Sequence, residues 1–283
     1  MNAVELEPRM DGTTDAVRSG VGGRLEPSFK AEGVTLYLGD CRSVLPQIER
    51  ADVVITDPPY GLSFPYRSYD DTRENLVKLI ADVMPEISRI AASAYILCGP
   101  TQIGLYPQPE WVCAVTWNTT GTFGKYGYNQ WTPVLCYGKD LEGFGNVNGM
   151  TKGDTFRING GGGVGFQRDA DEKEHTCPKP LNLMKMVVNR YTKPGQTVLD
   201  CFMGIGTTGV ACAVLGRKFI GIEQDAKHLE TAVQRFRTEL AQGVLPLSSG
   251  GGAEPVCEQL DAFEHSGAQR YNGELNGTGE VRA

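Results

Sequence analysis

The sequence predicts an α/β fold built on a doubly wound, mostly parallel sheet. Strand-length apolar runs alternate with longer segments of helical period, and one of those runs ends in a glycine-rich turn that opens a helix. Residues 34–40 (VTLYLGD) form the first run and residues 52–57 (DVVITD) the second, an unbroken apolar stretch of the kind buried on both faces of a sheet. Residues 74–90 (ENLVKLIADVMPEISRI) then space their apolar side chains by three and four, as a helix packed on a sheet requires. Three more strand-length runs follow at 93–99, 111–117 and 133–138, then a helical segment at 180–191, a run at 196–202, a helical segment at 207–216, a run at 218–223 and a last helix at 226–240. In such sheets ligands bind beyond the carboxyl ends of the strands, where the strand order reverses.

The totals bound the class. A chain of 283 residues, 40% hydrophobic and 22% charged, can bury one large α/β core or two small ones. No 18-residue apolar run offers a membrane span, and the start MNAVELEPRM lacks the basic and apolar regions of a signal peptide, so a cytoplasmic protein is expected. The eight cysteines are scattered without a C-x-x-C pair and read as buried free thiols. The net charge of −7 comes mostly from the ends: residues 1–33 contribute −2, residues 34–240 only −1 and residues 241–283 −4. A nearly neutral core can still bind DNA through a local basic face. Residues 1–33 and 241–283, rich in Gly and acids without periodicity, read as poorly ordered tails around a domain at 34–240. Within it, the Gly-rich polar stretch 139–175 carries Lys152, Arg157 and Arg168 and is either a surface insertion or a recognition loop. His175, His228 and His265 have no metal-ligand spacing, and no metal is expected.

Two motifs carry chemistry. Residues 198–216 (VLDCFMGIGTTGVACAVLG) hold Gly204, Gly206 and Gly209 in a G-x-G-x-x-G pattern, and Glu223 ends the next strand as a ribose-binding acid would. That pattern fits an NAD-dependent oxidoreductase. Asp200, however, sits where a pyrophosphate would approach, and a carboxylate there repels phosphate. A cationic ligand suits it better. S-adenosylmethionine carries a sulfonium and an ammonium but no phosphate, and its ribose hydroxyls could be held by Glu223. The second motif is Asp57, Pro58, Pro59 and Tyr60 at the end of an apolar strand. A carboxylate there needs a donor. The prolines lack N–H groups and stiffen the turn, leaving the Asp57 carboxylate and Pro58 carbonyl as acceptors beside an aromatic face. An amine on a flat ring would fill that cluster. A plain proline-stiffened turn capped by Asp is the other reading.

Together these segments resemble the amino-methyltransferases of DNA, the N6-adenine and N4-cytosine family, in the motif order of its β class, where the catalytic motif precedes the cofactor loop. Leu38, Gly39 and Asp40 resemble the Gly-Asp segment before the catalytic strand. The segment from His175 through Lys179 and Pro180 resembles the segment before the cofactor strand, and Glu223 in Gly-Ile-Glu resembles the ribose-binding acid. The resemblance spans about residues 34–240. It implies a Rossmann-like methyltransferase fold in circularly permuted order, with S-adenosylmethionine as cofactor and double-stranded DNA as partner. It assigns Asp57, Pro58, Pro59 and Tyr60 to catalysis. Asp200, Phe202, Gly204, Gly206, Thr207 and Thr208 would hold the methionine and adenosine portions, Lys179 beside Pro180 the methionine end, Asp40 the adenine and Glu223 the ribose. The Asp form of the catalytic motif favours the N6 amine of adenine over the N4 amine of cytosine, where Ser is more frequent. Trp117 is followed by Asn118 and Thr119, where the family often has a Lys two places on, and the recognition region is short, which leaves the target sequence and any restriction-enzyme partner open. Residues 61–75 interleave Phe64, Tyr66 and Tyr69 with Arg67 and Arg73, as a loop closing over a flipped nucleotide and its phosphates would, although Asp70, Asp71 and Glu74 offset their charge. A catalytically silent DNA-binding module is the reading from another class besides the oxidoreductase.

Overall fold

The computed structural model describes residues 25–117, 122–124, 127–138, 153–158 and 179–241. Its strands are β1 (Phe29–Ala31), β2 (Val34–Leu38), β3 (Val53–Thr56), β4 (Ser93–Leu97), β5 (Trp111–Trp117), β6 (Thr122–Gly124), β7 (Gly127–Asn129), β8 (Trp131–Gly138), β9 (Thr155–Ile158), β10 (Thr197–Asp200) and β11 (Lys218–Glu223). Its α-helices are α1 (Cys41–Val44), α2 (Arg73–Ile90), α3 (Leu181–Tyr191), α4 (Thr207–Val214) and α5 (Ala226–Ala241). Nine of the strands form one sheet in the order β1-β2-β11-β10-β3-β4-β8-β5-β9, and β6 pairs with β7 separately. From β2 to β4 every pairing is parallel, while β8 runs antiparallel to β4 and β5. This is the doubly wound, mostly parallel sheet that the alternating pattern predicts.

Strand periodicity divides the core between two faces. Val53 and Ile55 belong with Val187, Val210, Phe219 and Phe236 under α3, α4 and α5, whereas Val54, Ala94 and Leu199 belong with Leu76, Ile80 and Ile87 under α1 and α2. Helix α2 starts where the sequence signals it, with the Thr72 side chain accepting from Asn75 N–H at 3.2 Å. Helix α4 packs closely on its neighbours: a Cβ at Gly209 would stand 2.3 Å from Phe236 Cζ and 2.6 Å from Phe219 Cδ1. Gly209→Val is therefore expected to destabilise the fold by about 3 kcal/mol through overpacking, read as a lower urea midpoint at unchanged slope.

Two elements depart from the expectation. Strand β1 lies inside the segment read as an N-terminal tail; its three residues pair antiparallel with β2 through a turn in which Gly33 takes a φ of 73°. A three-residue strand is too short to announce itself by alternation. Strand β9, inside the Gly-rich stretch at 139–175, pairs parallel with β5, which composition alone conceals. Residues 1–24, 139–152, 159–178 and 242–283, with Lys152, Arg168 and His175, lie outside the described residues.

The topology fixes where a ligand can sit. From β10 the chain passes through α4 to β11 on one side, and from β3 it passes through α2 to β4 on the other. The reversal falls between β10 and β3, so the carboxyl ends of these two neighbours, Asp200 and the residues after Thr56, frame one crevice.

Candidate active site

Beyond the last residue of β3, Asp57 projects a carboxylate with about a fifth of its side chain exposed. The Tyr60 hydroxyl donates to its Oδ1 at 2.8 Å, and the Lys179 ammonium donates to its Oδ2 at 2.5 Å. Lys179 also stands 5.1 Å from the centroid of the Tyr60 ring. The donor that a strand-end carboxylate demands is thus present twice. The resemblance assigns Lys179 to the methionine end of the cofactor; in the structure its ammonium meets the Asp57 carboxylate, two residues before α3 begins.

The turn after the motif is held by a residue that sequence reasoning counted only as surplus acid. Asp71, 2% exposed, accepts from three backbone N–H groups: Gly61 at 2.6 Å, Leu62 at 3.0 Å and Phe64 at 3.1 Å. Ser63 N–H donates to the Asp71 carbonyl at 2.7 Å. A buried carboxylate holding consecutive amides is a rigid anchor, since any opening of the turn strands a charge away from water. Nothing in the run DDTREN separates Asp71 from Asp70, so only the fold reveals it.

Across the crevice, Asp200 ends β10 fully buried. The Thr56 and Thr208 hydroxyls donate to it at 2.7 and 2.6 Å, and the Phe202 N–H at 3.1 Å. Burial dominates these neutral donors and pushes its carboxyl up to about 6. Thr56 is a further site residue that the sequence does not flag, being one of four buried residues of a strand. Glu223 accepts from Gly204 N–H at 2.9 Å and Asp225 N–H at 2.7 Å, which ties the glycine turn to the end of β11. The Glu223 carboxylate draws the His228 imidazole beside it above its ordinary value. Asp40 caps α1 and takes a forked contact from Arg42, 2.5 Å at its shortest. Burial alone would raise the Asp40 carboxyl, but the Arg42 contacts outweigh it and hold the group below its usual value.

One cavity of about 350 Å³ joins both halves, and its lining includes Asp40, Asp57, Pro58, Pro59, Tyr60, Lys179, Asp200, Phe202, Gly204, Thr207, Thr208 and Glu223. Two residues assigned to cofactor binding are not in that lining. Pro180 is the N-cap of α3. Gly206 turns the chain into α4 with a φ of 79°, and a Cβ there would stand 3.1 Å from Ala232 and Phe236 side-chain atoms, so its backbone freedom and small size are used against α5. Arg67, expected to face DNA, lines the cavity near His228, while Arg73 opens α2 on the exposed surface and Arg157 lies on β9. All six described cysteines are buried free thiols; Cys177 and Cys257 lie outside the described residues.

The sequence profile of the DNA methylase family (N6_N4_Mtase) matches residues 120–234, the part of the chain that contains β10, α4 and β11. Over that segment, which is less than half of its length, the chain is similar to this DNA methylase family. A curated relative, the type II methyltransferase M.HinfI of Haemophilus influenzae, is 42% identical over 77 residues, 26% of this chain and 21% of that protein. The chain thus spans about a fifth of the length of the curated relatives it matches. Among solved structures, the M1.HpyAVI–SAM complex has a TM-score of 0.56 at 24% identity, over 72% of this chain and 98% of the other. The cytosine-N4-specific PvuII DNA methyltransferase has a TM-score of 0.59 at 17% identity, over 79% and 96%. At these identities the likeness speaks for the fold. Among the described residues, no helix is long and apolar enough to cross a membrane.

Proposed function

We propose that this DNA methylase transfers the methyl group of S-adenosylmethionine to the N6 amine of adenine in double-stranded DNA. The observation that carries the reading is the shared cavity: the Asp57 carboxylate and the Asp200 turn open onto one space at the point where the strand order reverses.

The cofactor fits the groups present. Asp200 is bound by two hydroxyls and one N–H, a neutral set that leaves its charge to be complemented by a cation at the glycine turn. Each oxygen of Glu223 accepts one backbone N–H, and a carboxylate oxygen can accept a further hydrogen bond from a ribose hydroxyl. When bound, S-adenosylmethionine would supply an electrophilic methyl group, its S–methyl bond breaking to leave S-adenosylhomocysteine, and the methylated amine would release one proton to solvent. The residues of the chain do the rest.

An adenine amine is a weak nucleophile because its lone pair is delocalised into the ring. With the Asp57 carboxylate and the Pro58 carbonyl accepting its two N–H groups, the nitrogen is drawn toward tetrahedral geometry and its lone pair is released for in-line attack. The contribution is orientation plus fixed dipoles. The hydrogen bonds that Asp57 receives from Tyr60 and Lys179 position its carboxylate beforehand, and its negative charge stabilises the positive charge that develops on the amine. The target nitrogen is paired inside a duplex, so the base must leave the stack, and the Tyr60 ring beside Asp57 offers the face on which it rests. The same acceptors suit the N4 amine of cytosine; the Asp form of the motif is what favours adenine.

The test is to incubate the purified protein with methyl-labelled S-adenosylmethionine and unmethylated DNA of mixed sequence, then to identify labelled nucleosides by mass spectrometry. Labelled N6-methyl-2′-deoxyadenosine is the expected product. Labelled N4-methylcytosine would overturn the base assignment and keep the chemistry, and DNA without label would overturn the proposal.

A further inference from the structure

Leu62 is the most exposed of the large hydrophobic side chains among the described residues, at 62%. It stands two residues after Tyr60 and lines the mouth of the cavity that holds Asp57. An exposed leucine on a loose loop would need no explanation. Leu62 is not on a loose loop. Its N–H is held by the buried Asp71 carboxylate, and it is flanked by Gly61 at φ 66° and Ser63 at φ 59°. Ser63 has the only positive φ at a non-glycine residue among the described residues, a strained conformation for a side chain that carries a Cβ. The chain therefore sets a buried charge and a strained backbone to present one apolar side chain, rigidly, to water at the edge of the active-site cavity. Had Leu62 served to cover a ligand inside that cavity, it would be expected to fold inward; its exposure directs it outward.

Resting on the reading of the chain as an enzyme that takes a base out of duplex DNA, we infer that Leu62 is a wedge that enters the base stack at the gap left by the flipped nucleotide. A vacated position in a duplex is a slot between two flat apolar faces. Aliphatic side chains enter such slots, and their burial offsets part of the lost stacking. A wedge must be rigid to act, because a flexible one would yield its position to the returning base; the Asp71 anchor and the two left-handed residues supply that rigidity. Adjacency along the chain to residues 57–60 would couple entry of the wedge to arrival of the base at Asp57.

The test uses Leu62→Ala and Leu62→Met in the full chain. Once the methylated site has been read from product DNA, turnover is measured on a duplex containing that site and on the same duplex with the target base mispaired, so that leaving the stack is already easy. For Leu62→Ala we expect kcat/KM on the paired duplex to fall by about tenfold or more, the factor that corresponds to losing the burial of most of a leucine side chain. We expect the mispaired duplex to restore most of the rate, Leu62→Met to stay near wild type on both, and S-adenosylmethionine affinity and melting temperature to stay unchanged. An equal loss on both duplexes, no loss on either, or a loss that tracks cofactor affinity would overturn the wedge. Wild-type protein that labels no DNA would instead overturn the proposed function on which the inference rests.

Discussion

Replacing Asp57 by Ala is expected to lower methyl transfer by about a thousandfold, the effect of deleting a preorganised group that touches the reacting atom. S-adenosylmethionine binding should change little. The reason is the division of the cavity: Asp57 follows β3, whereas Asp200 and Glu223 end β10 and β11, and Phe202 and Gly204 lie in the turn from β10 into α4. The variant frees the Lys179 ammonium from its 2.5 Å partner, but Lys179 keeps about a fifth of its side chain in water and can turn to solvent. Stability should therefore move far less than turnover. Single-turnover labelling together with equilibrium binding of the cofactor separates the two effects. A variant that retained most of its turnover would show that Asp57 does not hold the amine.

A second large effect is expected at Asp200, and its two consequences have opposite signs. Burial raises this carboxyl from 3.8 to about 6, so the folded chain binds its proton more tightly than the unfolded chain does. The stability that Asp200 contributes is thus present below about pH 4 and lost as the pH rises through about 6. Asp200→Asn removes the buried charge and keeps the shape. The Asn oxygen, in the place of Oδ1, can still accept from Phe202 N–H and the Thr56 hydroxyl, and the Thr208 hydroxyl can turn to accept from its amide. The variant is expected to be more stable than wild type at pH 8 by roughly 1–3 kcal/mol and to lose that advantage near pH 4. Affinity for the cationic cofactor should fall by about ten- to a hundredfold, since a charged partner is replaced by a neutral one. Urea melts at the two pH values and a cofactor titration check both halves. A variant destabilised at pH 8 with unchanged cofactor affinity would contradict the account of Asp200.

Much of this arrangement is legible in the sequence because the physics there is local. The unbroken apolar run in residues 52–57 follows from burial on both faces and period 3.6 in residues 74–90 from burial on one, so β3 and α2 lie where the pattern puts them to within a residue or two. The two motifs are legible for the same reason: a charge beside prolines, or glycines after an acid, is costly in a strand end without a purpose. What the sequence conceals is set by contacts far along the chain. Thr56 meets Asp200 across 144 residues, and Lys179 meets Asp57 across 122. Neither pairing has a local signature. Asp71 is concealed differently, because it resembles its neighbour Asp70 in every property except the direction that the fold gives it. Gly206 has a second use that the ligand-binding pattern does not show, the close approach of α5.

The central claim is that the cofactor turn at Asp200 and the acceptor cluster at Asp57 form one reaction chamber. A crystal structure with S-adenosylmethionine bound tests it most directly. The account expects the ammonium end beside Asp200, the ribose at Glu223 and the sulfonium methyl directed at the space between Asp57, Pro58 and Tyr60. A cofactor seated elsewhere, or one whose methyl points away from Asp57, would contradict it.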